Sequence, residues 1–168
     1  DGALFGDATV AVVGGGDAAV EEAIYLTRFA SKVYLIHRRD TLRAAAVITK
    51  RARENPKIEF FYSTVITEIR GEDIVEGIKV KEVVSGQERI VPVDGVFIYV
   101  GTSPNSDPVK ELLKIDDQGF IITDREMATS TPGVFAAGDV CQNSPRQVVT
   151  AVADGARAYF SAEKYLAN

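Results

Sequence analysis

The chain has 168 residues, 46% apolar and 26% charged, which is enough for one ordinary domain or two small ones and excludes wholesale disorder. Its 19 Lys and Arg against 24 Asp and Glu leave a net charge of −5 with no polybasic block, which argues against a nucleic-acid partner. A single Cys (Cys141) and a single His (His37) exclude an internal disulfide and a Cys/His zinc site, and no metal site is expected. No apolar run reaches the roughly eighteen residues of a membrane span, so no membrane association is expected. The chain opens on Asp1 without a signal-peptide pattern, and we expect a cytoplasmic protein that has lost its beginning.

Residues 8–16 predict a buried strand entering a tight turn. Val10, Ala11, Val12 and Val13 are apolar without alternation, as where both faces of a parallel strand are covered, and Gly14, Gly15 and Gly16 follow. A helix is expected from Asp17, with Val20, Ala23, Ile24 and Thr27 on one face and Asp17, Glu21 and Glu22 near its positive end. Residues 32–37 read as the next strand, and a second helix is expected over residues 41–55, ended by Pro56. The texture then turns β-rich, with short runs at 58–62, 65–70, 74–84 and 88–93 between turn signals at 70–73 and 85–87. Ile78, Val80 and Glu82 face opposite ways from Gly77, Lys79 and Lys81, which predicts an antiparallel sheet with one wet face, laid across the parallel one. Residues 96–100 form another continuous apolar strand, closed by Gly101.

Residues 102–108 hold two prolines and no apolar side chain, and read as a linker. A short helix (109–113), a hairpin-like stretch (115–123), a strand (134–137) and a final helix (147–167) are expected beyond it.

Three stretches could carry chemistry. Gly14-Gly15-Gly16-Asp17-Ala18-Ala19, between a strand and a helix, fits a dinucleotide fingerprint with Ala at the last small position. One Gly makes the turn, a second lets a pyrophosphate approach the backbone, and phosphates sit on the free N–H groups of the helix start. The bland alternative is a Gly-rich loop. His37, Arg38, Arg39 and Arg43 follow the second strand, where an acidic residue would read a ribose 2′-hydroxyl and guanidiniums suit a 2′-phosphate. The bland alternative there is a solvated basic turn. Gly138-Asp139 at the end of a short strand precedes a helix rich in small residues, which suits either a hydroxyl-binding carboxylate beside a flat ring or an ordinary well-packed helix.

With Gly101-Thr102-Ser103-Pro104 between them and Arg146-Gln147 before the last helix, these motifs occur in an order that resembles bacterial-type, low-molecular-weight thioredoxin reductase, over roughly its later two-thirds. That resemblance implies an α/β fold: a Rossmann-like parallel sheet with an antiparallel meander, the two-dinucleotide-domain flavoprotein fold. It implies an NADPH-binding domain over 1–101 and the C-terminal half of a discontinuous FAD-binding domain over 102–168. Gly14, Gly15, Gly16, Asp17, Ala18, Ala19, His37, Arg38, Arg39, Arg43 and Gly101 would then bind NADPH. Gly138, Asp139, Arg146, Gln147 and Val148 would lie at FAD, and Asp1 would be the catalytic acid beside a redox disulfide. The family's activity is NADPH-dependent disulfide reduction, passing from NADPH to FAD to a cysteine pair to thioredoxin, by a cytoplasmic homodimer serving redox homeostasis.

This sequence departs from the family pattern in lacking the cysteine pair and the first FAD motif. From that we expect inactivity on its own, weak or absent FAD binding, a need for an N-terminal portion bearing both features, and a bystander role for Cys141. One alternative is the flavoprotein subunit of alkyl hydroperoxide reductase, which shares an Asp-Gly-x-Leu-Phe start but lacks the arginine cluster. A non-catalytic dinucleotide-binding module is the other.

Overall fold

Continuous apolar runs pair best where both faces of a sheet are covered, and alternating runs where one face is wet. The first part of the chain uses both. It runs β1 (Thr9–Gly14), α1 (Asp17–Leu26), β2 (Lys32–Ile36), α2 (Ala46–Arg53), β3 (Ile58–Phe61), β4 (Thr64–Arg70), β5 (Gly77–Glu82), β6 (Glu88–Val91) and β7 (Gly95–Tyr99). A four-stranded parallel sheet has the order β3-β2-β1-β7, and β4, β5 and β6 form a separate antiparallel sheet. The computed structural model describes residues 1–167, and the chain divides between Gly101 and Thr102 into two compact units.

The period of two along each parallel strand sorts its side chains between two cores. Val10, Val12, Val33 and Leu35 face the helices and pack with Ala19, Val20, Ala23 and Leu26 of α1 and Ala52 of α2. Ala11, Ile36 and Phe61 face the other way, against Ile78, Val80 and Val91 of the antiparallel sheet. The alternation in β5 therefore does what its pattern predicts: Ile78 and Val80 are buried, Lys81 is exposed, and Lys79 pairs with Glu88 of β6 at 2.6 Å on the wet side.

Three expected elements differ in the structure. The second helix begins at Ala46 rather than residue 41, because the preceding amides are already taken. Arg43 and Ala44 donate to the Gly15 carbonyl at 2.7 and 3.1 Å, and Ala45 donates to the Asp17 carboxylate at 2.7 Å. The helix expected over 109–113 is replaced by a 3-10 turn at Asp107–Val109, followed by bonds from Leu112 and Leu113 N–H to the Val109 carbonyl. Five residues are too few to repay helix nucleation. The strand expected over 134–137 is reduced to one bridge between Ala128 and Phe135. Its neighbouring segment cannot extend a ladder, since the Asp124 carboxylate accepts from the Glu126 and Ala128 N–H groups and Met127 is left-handed (φ 64°).

The second unit otherwise holds an Ile115–Ile121 antiparallel bridge, a 3-10 turn at Gly138–Val140, and α3 (Val148–Leu166). No residue of α3 is buried, and Val148, Val149, Val152 and Phe160 are all well exposed despite their apolar character. Apolar burial concentrates instead between the parallel sheet and its two covers. Ile78→Ala should therefore cost about 2–5 kcal/mol, read as a lower urea midpoint at unchanged slope. A loss under about 1 kcal/mol would mean that the antiparallel sheet is not held by this contact.

Candidate functional site: a cleft at the strand ends

In the order β3-β2-β1-β7 the chain leaves β1 toward β2 on one side and returns to pair with it as β7 on the other. That reversal opens a crevice at the carboxyl ends of the strands, where loops diverge in opposite directions. A cleft of about 480 Å³ lies there. Gly14 and Gly15 border it, together with His37, Arg38 and Arg43 from the segment after β2, residues 64–69 of β4, and Ile98, Tyr99 and Val100.

The three glycines of the turn meet different demands. Gly14 has φ 154°, and a Cβ there would lie 2.5 Å from the Tyr99 carbonyl oxygen and 2.6 Å from the Ala19 Cβ. Only glycine with a small residue at 19 lets β1, β7 and α1 converge in this way. A side chain on Gly15 would collide with the His37 imidazole. Gly16 has open space where a Cβ would point and extended backbone (φ −93°, ψ 179°), and the first amides of α1 lack intrahelical acceptors. An open backbone at a helix start is what a pyrophosphate needs, so the turn fits that group on steric and hydrogen-bonding grounds.

The arginine segment is fastened at both ends. Its start is held by His37 N–H to the Phe61 carbonyl at 2.9 Å, Thr64 N–H to the His37 carbonyl at 3.0 Å, and Ser63 N–H to the Arg39 carbonyl at 3.0 Å. Its end is held by the Gly15 and Asp17 bonds that displace the start of α2. Arg38, Arg39 and Arg43 are exposed, and among the described residues none of them has a carboxylate within 4 Å. Asp40, the one acid within the segment, accepts from the Thr41 hydroxyl at 3.3 Å. Three unpaired guanidiniums beside an open helix start make a strongly anion-attracting corner.

His37 is only 7% exposed, and its Nε2 is buried with no hydrogen-bond partner. Burial, followed by the charges of Arg39, Arg43 and Arg38, holds its pKa below 6.5, and the imidazole is neutral at pH 7. On the opposite wall burial and then the nearby Glu22 carboxylate raise the Tyr99 phenol. Tyr99 and the β4 wall have no signature in the sequence, since a strand that arrives from another sheet leaves no local pattern.

The remaining candidates do not gather at this cleft. Gly101 follows Val100 with φ 101° and nothing within 4 Å of its Cβ direction. Asp1 precedes a 3-10 turn whose Gly2 packs on Leu26 and whose Phe5 packs on Gly95, so it lies toward the other end of α1 and β7. Within the second unit, Asp139 and Arg146 border a pocket of about 530 Å³ with Asn105 and Phe120, and the Arg146 guanidinium lies 4.6 Å from the Phe120 ring centroid. Gly138 has φ 79° against Ala151 of α3, and the Thr150 hydroxyl donates to the Gln147 carbonyl at 2.8 Å. Val148 is 83% exposed. Cys141 is buried, and burial with the nearby Asp154 raises its thiol pKa, which disfavours the thiolate.

A Gly-rich strand-to-helix turn at the reversal point of a parallel sheet defines the dinucleotide-binding class of α/β folds. The chain belongs to the pyridine nucleotide-disulphide oxidoreductase family, whose profile matches residues 3–155. It is 50% identical over 167 residues to a thioredoxin reductase of Listeria monocytogenes, covering 99% of this chain and 52% of that protein. It is 45% identical over 169 residues to one of Mycolicibacterium smegmatis, covering 100% of this chain and 54% of the other. The crystal structure of thioredoxin reductase from Streptococcus pyogenes superposes with a TM-score of 0.83 at 50% identity, over 99% of this chain and 55% of that one. The chain thus spans about half the length of the curated relatives it matches, not the two-thirds expected from its motifs.

The buried imidazole makes stability depend on pH. The unfolded chain protonates His37 near pH 6.5 and the folded chain only at lower pH, so in that window the unfolded state binds more protons. Stability from this group is whole above the window and is lost as pH falls through it. The melting midpoint should drop between about pH 7.5 and about pH 5.5, and His37→Gln should show a smaller drop. Equal drops in both proteins would assign the loss to other groups.

Proposed function

We propose that these residues form the NADPH-binding part, and the second flavin-binding part, of an NADPH-dependent thioredoxin-disulfide reductase. The observation that carries this reading is the set of three guanidiniums without carboxylate partners, fastened beside a Gly-rich turn at the sheet's reversal point. The names of the relatives support the same activity.

On this reading the backbone of residues 14–19 receives the pyrophosphate, and Arg38, Arg39 and Arg43 receive the 2′-phosphate. His37, neutral and packed on Gly15, supports the turn from below. The apolar part of the cleft, between β4 and Val100, excludes water from the rest of the dinucleotide. In the second unit Asp139 would hold flavin hydroxyls, and Gly138, Arg146, Gln147 and Val148 would contribute to the same flavin site. The two bound cofactors supply hydride donation and its acceptance. Asp1 holds a proton for the disulfide chemistry that follows, and thioredoxin is the final acceptor. The protein acts in the cytoplasm as a homodimer.

The 168 residues carry one cysteine and one Gly-rich turn, so by themselves they should neither retain flavin nor reduce a disulfide with NADPH. A yellow preparation with stoichiometric flavin, or thioredoxin-dependent NADPH oxidation by protein of verified mass, would contradict this.

Cofactor choice tests the central assignment. NADPH and NADH differ only in the 2′-phosphate, and two charge-assisted contacts to it should favour NADPH on the order of a hundredfold at low salt. The preference should shrink as salt rises, because the guanidiniums are exposed. Arg38→Ala combined with Arg39→Ala should remove most of it while leaving NADH affinity nearly unchanged, measured by calorimetric titration. Equal affinities in the unmutated chain would mean that these arginines only face solvent.

A further inference from the structure

Asp17 carries a charge that suits the helix start but would repel a pyrophosphate bound there. It is the first residue of α1, at the helix start that the proposed function gives to a pyrophosphate. The structure shows it engaged: its Oδ1 accepts the Ala45 N–H at 2.7 Å, across 28 residues of chain. Together with the Gly15 carbonyl, which takes the Arg43 and Ala44 N–H groups, it captures three consecutive amides. These are the last three amides before α2, in a stretch that would otherwise extend that helix toward its N-terminus. Arg43 is the first of the three, so its backbone position is set by this clamp.

We infer that Asp17 is a positioning residue for cofactor discrimination: by holding Ala45 it fixes the segment that carries Arg38, Arg39 and Arg43 against the Gly-rich turn. The inference deepens the reading of the cleft as an NADPH site and rests on it. It is a claim about hydrogen-bond acceptance, not about charge, and the two make opposite predictions. If Asp17 acted only through its charge, removing it would relieve repulsion most for the more highly charged cofactor, and preference for NADPH would rise or stay level. If it acts as a clamp, losing the acceptor frees Ala45 and loosens the Arg43 end of the segment, and preference for NADPH falls although an anion has been removed. Asn at 17 keeps the acceptor oxygen and loses the charge, so it separates the two accounts.

The experiment compares the unmutated chain, Asp17→Ala and Asp17→Asn in calorimetric titrations with NADPH and NADH, alongside amide hydrogen exchange without ligand. Asp17→Ala should lower the ratio of NADPH to NADH affinity by on the order of fivefold, through weaker NADPH binding. It should also speed exchange at Ala45, Ala44 and Arg43. Asp17→Asn should keep at least the original ratio and near-original exchange at those amides. An unchanged or raised ratio in Asp17→Ala, or equal weakening of both cofactors, overturns the inference while leaving the NADPH site standing. Lack of preference in the unmutated chain instead overturns the NADPH reading, and unaltered exchange in Asp17→Ala then overturns the clamp as well.

Discussion

Two backbone N–H groups, from Arg43 and Ala44, converge on the carbonyl oxygen of Gly15 at 2.7 and 3.1 Å, and much of the site depends on that junction. Gly15 follows β1 and the two donors come from the segment after β2, so the bonds join the loops of neighbouring parallel strands at their carboxyl ends. Such loops are otherwise free to diverge. Here the His37 ring fills the space beside Gly15, which excludes any side chain at that position and closes the junction from a second direction. Each of these contacts is small by itself, of the order of one hydrogen bond or one ring face, but they share a single residue and so constrain the same geometry.

The fold explains why this corner can hold unpaired charge. Its core lies in two layers on either side of the parallel sheet, and the strand ends project beyond both. Three guanidiniums at those ends stay solvated, which avoids the desolvation penalty of a buried cation. The His37 imidazole, drawn into the layer, is neutral at pH 7, its pKa held down by burial and by the arginines. Positive charge from Arg38 and Arg43 thus borders a cleft also lined by Val65, Ile66 and Ile98, an arrangement suited to an anionic group at one end of a long ligand and an apolar body at the other.

Much of this was legible in the sequence because the relevant signals are local. Unalternating apolar runs marked the parallel strands, alternation at Ile78 and Val80 marked the meander, and the linker read over residues 102–108 starts at the division between the two units. What was not legible depends on distant partners. The start of α2 is set by acceptors at Gly15 and Asp17, about 28 residues back, and helical periodicity alone carries the pattern too far toward the N-terminus. The β4 wall of the cleft comes from a different sheet. Residues 134–137 have strand composition but no ladder to join, because Asp124 occupies the neighbouring amides. The periodicity of α3 identified a helix correctly, yet apolar spacing cannot say what a face meets, and Val148, Val149 and Val152 are exposed.

The arginine segment is proposed to recognise a phosphate on the 2′ position of an adenosine. The most direct measurement is a pair of amide NMR titrations of the isotope-labelled chain, one with adenosine 2′,5′-bisphosphate and one with adenosine 5′-diphosphate. Both ligands should perturb residues 14–19, and the difference between them should concentrate at His37, Arg38, Arg39 and Arg43. Superimposable perturbations at those four residues, or a difference confined to residues 14–19, would contradict the account.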